Sequence, residues 1–250
     1  MLAFLIVILG ADTSLSSSWL LLLPLASVGF LSAYVFAYGG YHSAPLSVVA
    51  PIAYTAPAIA ILLDVVFLGT KLTLVEGPPL AAVMGGVILI STKFSDLRKS
   101  GADRSGTIVT SGVFSGLAAA CSFSFVFVAL SVVVPEVGYL VPTLVLKVGA
   151  AAIGFAISPI LKRDVRPSWK AVGPYVWLVA IFDTAGYLTL GGGITTAGNL
   201  LPLVIMTSGM GGFFLACYGM VFRKEKPEPN QLLGIAISLV GVATLLYLTA

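Results

Sequence analysis

An all-α, polytopic membrane fold built from inverted repeats of transmembrane helices is the class this sequence predicts, on three observations. Of the 250 residues, 58% are hydrophobic and 9% charged, and the mean hydropathy is +1.07, a balance foreign to soluble domains of this length. A helix crossing ~30 Å of hydrocarbon needs roughly 20 residues, and apolar runs that meet or approach that length recur along the whole chain. The chain also repeats itself: residues 46–90 and 201–245 share one plan of long apolar run, short polar break and second apolar run. Thr70, Glu76 and Gly86 in the first copy fall opposite Glu225, Gln231 and Gly241 in the second, at a constant offset of 155.

Taken in order, the predicted spans are 19–41, 44–69, 79–92, 107–134, 139–161, 174–194, 199–222 and 231–248, of which the third is the shortest. Tight turns, such as the one at His42 and Ser43, or short charged loops connect them. A further apolar stretch, Leu2 to Gly10, is too short to span and lacks the preceding Lys or Arg of a signal peptide. It reads as the end of a helix whose beginning is missing, and an in-frame upstream extension of roughly 45 to 50 apolar residues would restore two spans at ~20 residues each. Glycines at 191–193, 209, 211 and 212 allow close helix approach. Pro45, Pro51, Pro57, Pro142 and Pro202 interrupt helical hydrogen bonding within or near the ends of spans.

Charge orients the bundle. Of the 13 Lys and Arg, all but Lys71 and Lys147 lie in three loops: Lys93, Arg98, Lys99 and Arg104; Lys162, Arg163, Arg166 and Lys170; Arg223, Lys224 and Lys226. The three loops share one face, which the positive-inside rule places in the cytoplasm, with Ala250 and residues 11–18 outside. Nucleic-acid binding is disfavoured, because the loops are short and mixed with Asp96, Asp103, Asp164, Glu225 and Glu228. Cys121 and Cys217 lie inside apolar segments without ligand neighbours and are expected to pack.

Three ionisable groups fall inside predicted spans, where each costs at least ~2.5 kcal/mol on insertion scales: Asp64, Lys147 and Asp183. At 1.5 Å per residue, Lys147 lies about 12 Å and Asp183 about 16 Å from the same face, so an ion pair or a shared water-filled cavity is geometrically reasonable. One reading is a substrate or proton site, with Lys147 neutralising an anionic group and Asp183 changing protonation. The other is an ion pair that locks two helices and touches no ligand. Asp64, five residues from Gly69, is expected to reach the headgroups in a solvated or structural role, with ion coupling as the alternative. Tyr34, Tyr54, Tyr187, Ser122, Ser124, Thr184 and Asn199 are further polar groups within spans, and most are expected to join helix to helix. Tyr34 and Tyr187 occupy corresponding helices of the two copies and are candidates to line a cavity between them, with Ser122 and Asn199.

The second copy, through Phe222-Arg223-Lys224-Glu225, Gln231, Gly234 and Gly241-Val242, resembles the EamA-type repeat of the drug/metabolite transporter (DMT) superfamily. The first copy resembles it through Pro57, Leu68-Gly69 and Gly86-Val87. The resemblance implies ten helices in two inverted five-helix repeats with a substrate cavity between them. Residues 1–92 would then form a first repeat lacking its first helix and most of its second, residues 93–106 a basic loop, and residues 107–250 the second repeat. Thr70 departs from the family pattern, standing where an acidic residue follows glycine. The basic loops also predict an orientation opposite to the family's cytoplasmic termini.

Enzyme chemistry finds no support. His42 is the single histidine, no Gly-x-Ser-x-Gly elbow surrounds any serine, and no Gly-Lys-Ser/Thr phosphate loop exists. The resemblance therefore implies a multi-pass carrier of the cell membrane, needing no cofactor and no metal, that moves a small organic metabolite by alternating access. Its expected partners are a small-molecule substrate and the lipid bilayer, and the chain is compatible with a homodimer. The rival reading is a non-transporting or degenerate membrane scaffold.

Overall fold

The computed structural model describes residues 19–44, 46–69, 73–92, 94–95, 106–159, 169–197 and 228–249. They form α1 (Trp19–Ser43), α2 (Leu46–Ala53), α3 (Ala56–Leu63) running into a π-helical turn (Asp64–Leu68), α4 (Gly77–Ser91), α5 (Gly106–Val137), α6 (Leu140–Ile157), α7 (Trp169–Ala197) and α8 (Pro229–Thr249), with no strand among the described residues. Leu21–Ser43, Ser111–Val137, Leu140–Ile157 and Tyr175–Thr196 are each long and apolar enough to cross a membrane, and Ala56–Leu68, Gly77–Ile90 and Pro229–Leu245 are shorter apolar helices. The protein is an all-α, polytopic membrane protein. From Tyr175 to Phe182 the helix α7 buries no side chain within the chain, which suits an apolar solvent. The predicted run at 199–222 and the stretch Leu2 to Gly10 lie outside the described residues.

The span predicted as one helix over 44–69 is broken. Tyr54 and Thr55 form a turn between α2 and α3, in which the Thr55 hydroxyl and N–H both donate to the Ile52 carbonyl, at 2.7 and 3.0 Å. Pro57 sits in the first turn of α3, where its missing N–H costs nothing and its ring disfavours helical continuity with the residues before it. At the far end, Asp64 begins the π-helical turn, and Gly69 stops it in the left-handed region at φ +69°, donating its N–H back to the Asp64 carbonyl.

The chain divides into two compact units. The first comprises Met1–Leu31 and Ala129–Gly198; the second comprises Ser32–Val128 and Asn199–Ala250. In the first unit, Leu23 of α1 packs on Val133 of α5, surrounded by Leu22, Val132, Val137 and Val145. Gly138, at φ +73°, makes the sharp turn from α5 into α6, its N–H donating to the Val134 carbonyl at 3.0 Å. The helices α6 and α7 run antiparallel, because Tyr139 meets Gly191 while Lys147 meets Asp183. A Cβ at 191 would stand 2.5 Å from that of Tyr139, so only glycine admits this approach.

In the second unit, Ala37, Ala53 and Ala119 cluster under Tyr41. Ser124 of α5 donates to the Ala56 carbonyl at 2.8 Å, close to where the broken helix restarts. The helices α4 and α8 pack antiparallel through small residues. Gly86 faces Gly234 and Ser238, and Gly241 faces Pro79 and Val83. Under the offset of 155 these contacts are reciprocal: the mates of Pro79, Val83 and Gly86 are Gly234, Ser238 and Gly241. The Ser238 hydroxyl donates to the carbonyl of Val83, its own mate, at 3.4 Å, so a local pseudo-two-fold axis passes beside that pair. A pair of side-chain bonds near the two helix starts matches as well, although α8 begins three residues earlier in that register. Glu76 Oε2 accepts the Thr73 N–H at 2.8 Å and Gln231 Oε1 accepts the Glu228 N–H at 3.1 Å, two capping interactions at one offset.

Candidate functional site

Ser27 sets the local frame. Its buried hydroxyl donates to Leu23 within α1 at 3.0 Å and across to the Val145 carbonyl of α6 at 3.2 Å. Gly149, one turn beyond Val145, clears the space, since a Cβ there would lie 2.5 Å from the serine Oγ. Three residues after Ser27 and two after Val145 stand Phe30 and Lys147, and the crossing brings them together.

Lys147 forms an ion pair with Asp183 Oδ2, joining the middle of α6 to that of α7. The same ammonium lies 4.7 Å from the centroid of the Phe30 ring and 4.4 Å from that of Tyr187. The two rings meet edge to face, with centroids 5.3 Å apart and planes at 71°. Tyr187 follows Asp183 by one helical turn, so carboxylate and ring share a face of α7. Phe30 and Tyr187 are 7 and 8% exposed, whereas the Lys147 and Asp183 side chains keep 21 and 29% of their surfaces reachable. A cation is thus held between two aromatic rings and a carboxylate, with part of the pair's surface left uncovered by the chain.

The ion pair, reasonable from helix depths alone, therefore forms, and Tyr187 belongs to it. Tyr34, one helical turn beyond Phe30 on α1, stands edge to face with Phe123 at 5.3 Å and is stacked on Tyr38 at 5.7 Å. Tyr38 in turn meets Tyr41 at 6.1 Å. Ser122 is half-exposed on α5 in the second unit, and Asn199 lies outside the described residues. Asp64, the first residue of the π-helical turn, is not solvated. It is 2% exposed. Cys121, expected to pack, is exposed, and Cys217 lies outside the described residues. Phe30 was not singled out by sequence, being one of 14 phenylalanines; its only signal is its spacing from Ser27. No cluster of three or more His, Cys, Asp or Glu that could hold a metal occurs among the described residues.

A family model described as the EamA-like transporter family matches residues 1–92. The chain shares its fold with a solved structure described only as a crystal structure of a protein, at a TM-score of 0.69 and 17% identity over 96% of this chain and 82% of that one. No curated protein matches the chain. The EamA-like family comprises membrane transporters rather than enzymes, which agrees with the apolar helices. Phe30, Tyr34 and Asp64 fall within the EamA-like match, and Lys147, Asp183 and Tyr187 fall beyond it.

Proposed function

We propose that the protein is a secondary-active carrier in the cell membrane that moves a small organic metabolite, such as an amino acid or organic acid, by alternating access. The observation that carries this reading is the Lys147–Asp183 pair, set mid-helix between two aromatic rings and still partly reachable. Charged groups inside spanning helices are costly and cluster on solute and proton pathways. In this reading Lys147 neutralises an anionic group of the substrate, Tyr187 packs against it, and Asp183 exchanges a proton as the site changes sides. The broken α2–α3 helix and the buried Asp64 supply a second point at which coupling would act, since discontinuous helices recur at carrier binding sites.

The test is uptake and efflux of labelled amino acids, organic acids and sugar phosphates in proteoliposomes, for the wild type and Lys147→Ala. Flux of at least one class that falls at least about tenfold in the variant, the scale of a lost charge-assisted hydrogen bond of about 1.5–3 kcal/mol, is the expected result. Flux indifferent to Lys147 would move the site elsewhere, and absence of flux for every class would remove the carrier reading.

A further inference from the structure

The Lys147 ammonium is itself the ligand of a built site. Two aromatic faces at 4.7 and 4.4 Å and one carboxylate surround it, and the rings stand at 71° to each other, forming two walls of a corner. We propose that Phe30, Tyr187 and Asp183 form a cation site that Lys147 occupies as a tethered ligand, and that the site takes a small organic ammonium ion once the lysine moves away. For its use in transport the proposal rests on the carrier reading; the binding itself does not.

The chemistry of the walls selects the ligand class. Hard metal cations seek several oxygen ligands at short range, and the ammonium faces one carboxylate and two rings. Ring faces attract weakly hydrated, diffuse cations, which is how aromatic cages hold alkylammonium groups. Lysine, on a flexible four-carbon stem, reaches the corner from within the same hairpin. A tethered group of this kind competes at an effective concentration in the millimolar range, so the wild type masks the site from dilute amines. Lys147 is then a built-in competitor. When it swings towards an anionic group, it vacates a place for a positive one beside Asp183 and the two rings.

The experiment measures equilibrium binding in the full chain reconstituted in nanodiscs, by the shift of the thermal unfolding midpoint under ethylammonium or tetramethylammonium chloride against matched sodium chloride. Lys147→Ala should show a saturable upward shift with either ammonium ion and none with sodium. The wild type should need at least about tenfold more ammonium to show the same shift. Adding Tyr187→Leu or Phe30→Leu to Lys147→Ala should abolish the effect. Lys147→Gln, which keeps a donor for Asp183, serves if the alanine variant does not fold. The wild type supplies an independent measurement: tetramethylammonium should speed acetylation of Lys147 relative to the other lysines by expelling it from the corner. No saturable shift, an equal effect of sodium, persistence without the rings, or unchanged acetylation each overturns the proposal. Ammonium binding without any flux would leave the site standing and remove the carrier reading. Flux that needs Lys147 without ammonium binding would do the reverse.

Discussion

Where α4 meets α8, Gly86, Gly234 and Gly241 leave no side chain between the backbones, and the contacts repeat themselves about a local two-fold. Where α6 meets α7, glycine closes only one end, at Gly191, while eight residues further along each helix the space is held by Lys147, Asp183 and Tyr187. Both pairs are antiparallel. The first spends its contacts on closeness, with hydrogen bonds along its edge: Asn230 Nδ2 donates to the carbonyls of Leu89 and Thr92 at 3.0 and 2.7 Å, and Gln231 Nε2 to that of Ile90 at 2.9 Å. These satisfy carbonyls that the end of α4 leaves without helical donors. The second carries charge where closeness would have been cheaper. A seam that excludes side chains cannot bind anything, and a seam that retains a cation between rings cannot close.

The largest effect is expected in the closed seam. Gly86→Val would drive a side chain into Ser238 and to within 2.6 Å of the Gly234 carbonyl, a backbone atom that has nowhere to move. The expected loss is about 3 kcal/mol or more, at the upper end for overpacking. Gly186→Ala on α7, where an added methyl meets nothing within 4 Å, should stay within about 0.5 kcal/mol of wild type. Thermal unfolding of both variants in detergent tests the contrast, and equal midpoints would remove it.

The open seam is tested by its charges. Lys147→Leu or Asp183→Leu alone takes the ion-pair partner from a half-buried charge and should cost about 1–3 kcal/mol, below the fully buried range because both groups are partly exposed. Together the two substitutions should cost less than either, as apolar replacement of an ion pair is often neutral. If the double variant proves as unstable as the sum of the singles, the two groups are uncoupled and each is held by other contacts. A stable double variant without flux is the outcome expected of a functional pair.

The two seams were unequally readable from sequence. The offset that aligned Gly86 with Gly241 and Glu76 with Gln231 locates the closed seam, because glycines at a crossing and acceptors at a helix start each have one local physical reason to recur. In the open seam, Lys147 and Asp183 announce themselves by cost alone, and their depths along two helices suffice to pair them. Phe30 does not, because a phenylalanine in an apolar helix carries no cost, and its role depends on the crossing angle set by Ser27 and Gly149. The break at Tyr54 was hidden for a similar reason. Pro51 and Pro57 mark a place where hydrogen bonding weakens, but either residue is compatible with a kinked, continuous helix. The burial of Asp64 was likewise not legible, since counting residues to Gly69 assumes α-helical phasing and the chain there makes a π-helical turn.

A smaller effect sharpens the comparison at the helix starts. Gln231 accepts the Glu228 N–H and also donates to Ile90, whereas Glu76, its mate, accepts the Thr73 N–H and has no proton to donate across the seam when ionised. Gln231→Leu should therefore cost about 1–2 kcal/mol and Glu76→Leu about 0.5–1 kcal/mol, in proportion to the bonds each loses. Guanidinium-induced unfolding of the two variants in matched micelles measures the gap, and a larger loss at Glu76 would contradict this account of the seam.

A change in stability as small as that at Glu76 is expected at Ser27. Removing its hydroxyl takes away one hydrogen bond between helices, to the Val145 carbonyl, and one within α1, to Leu23; both accepting carbonyls lie inside helices and retain their backbone donors. The cost of Ser27→Ala is expected at about 0.5–1 kcal/mol, at the low end for a hydrogen bond. Its effect on the ion-pair site should nevertheless exceed that of Ser122→Ala, a half-exposed position on α5 in the other unit. Ser27 holds α1 against α6 three residues from Phe30 and two from Lys147, so losing it loosens the placement of one ring over the ammonium while leaving Tyr187 and Asp183 on their own helix. A rise in the acetylation rate of Lys147 in Ser27→Ala, with Ser122→Ala unchanged, is the expected signature. Equal rates in both would mean that α7 alone positions the lysine and that the crossing at Gly149 is mere packing.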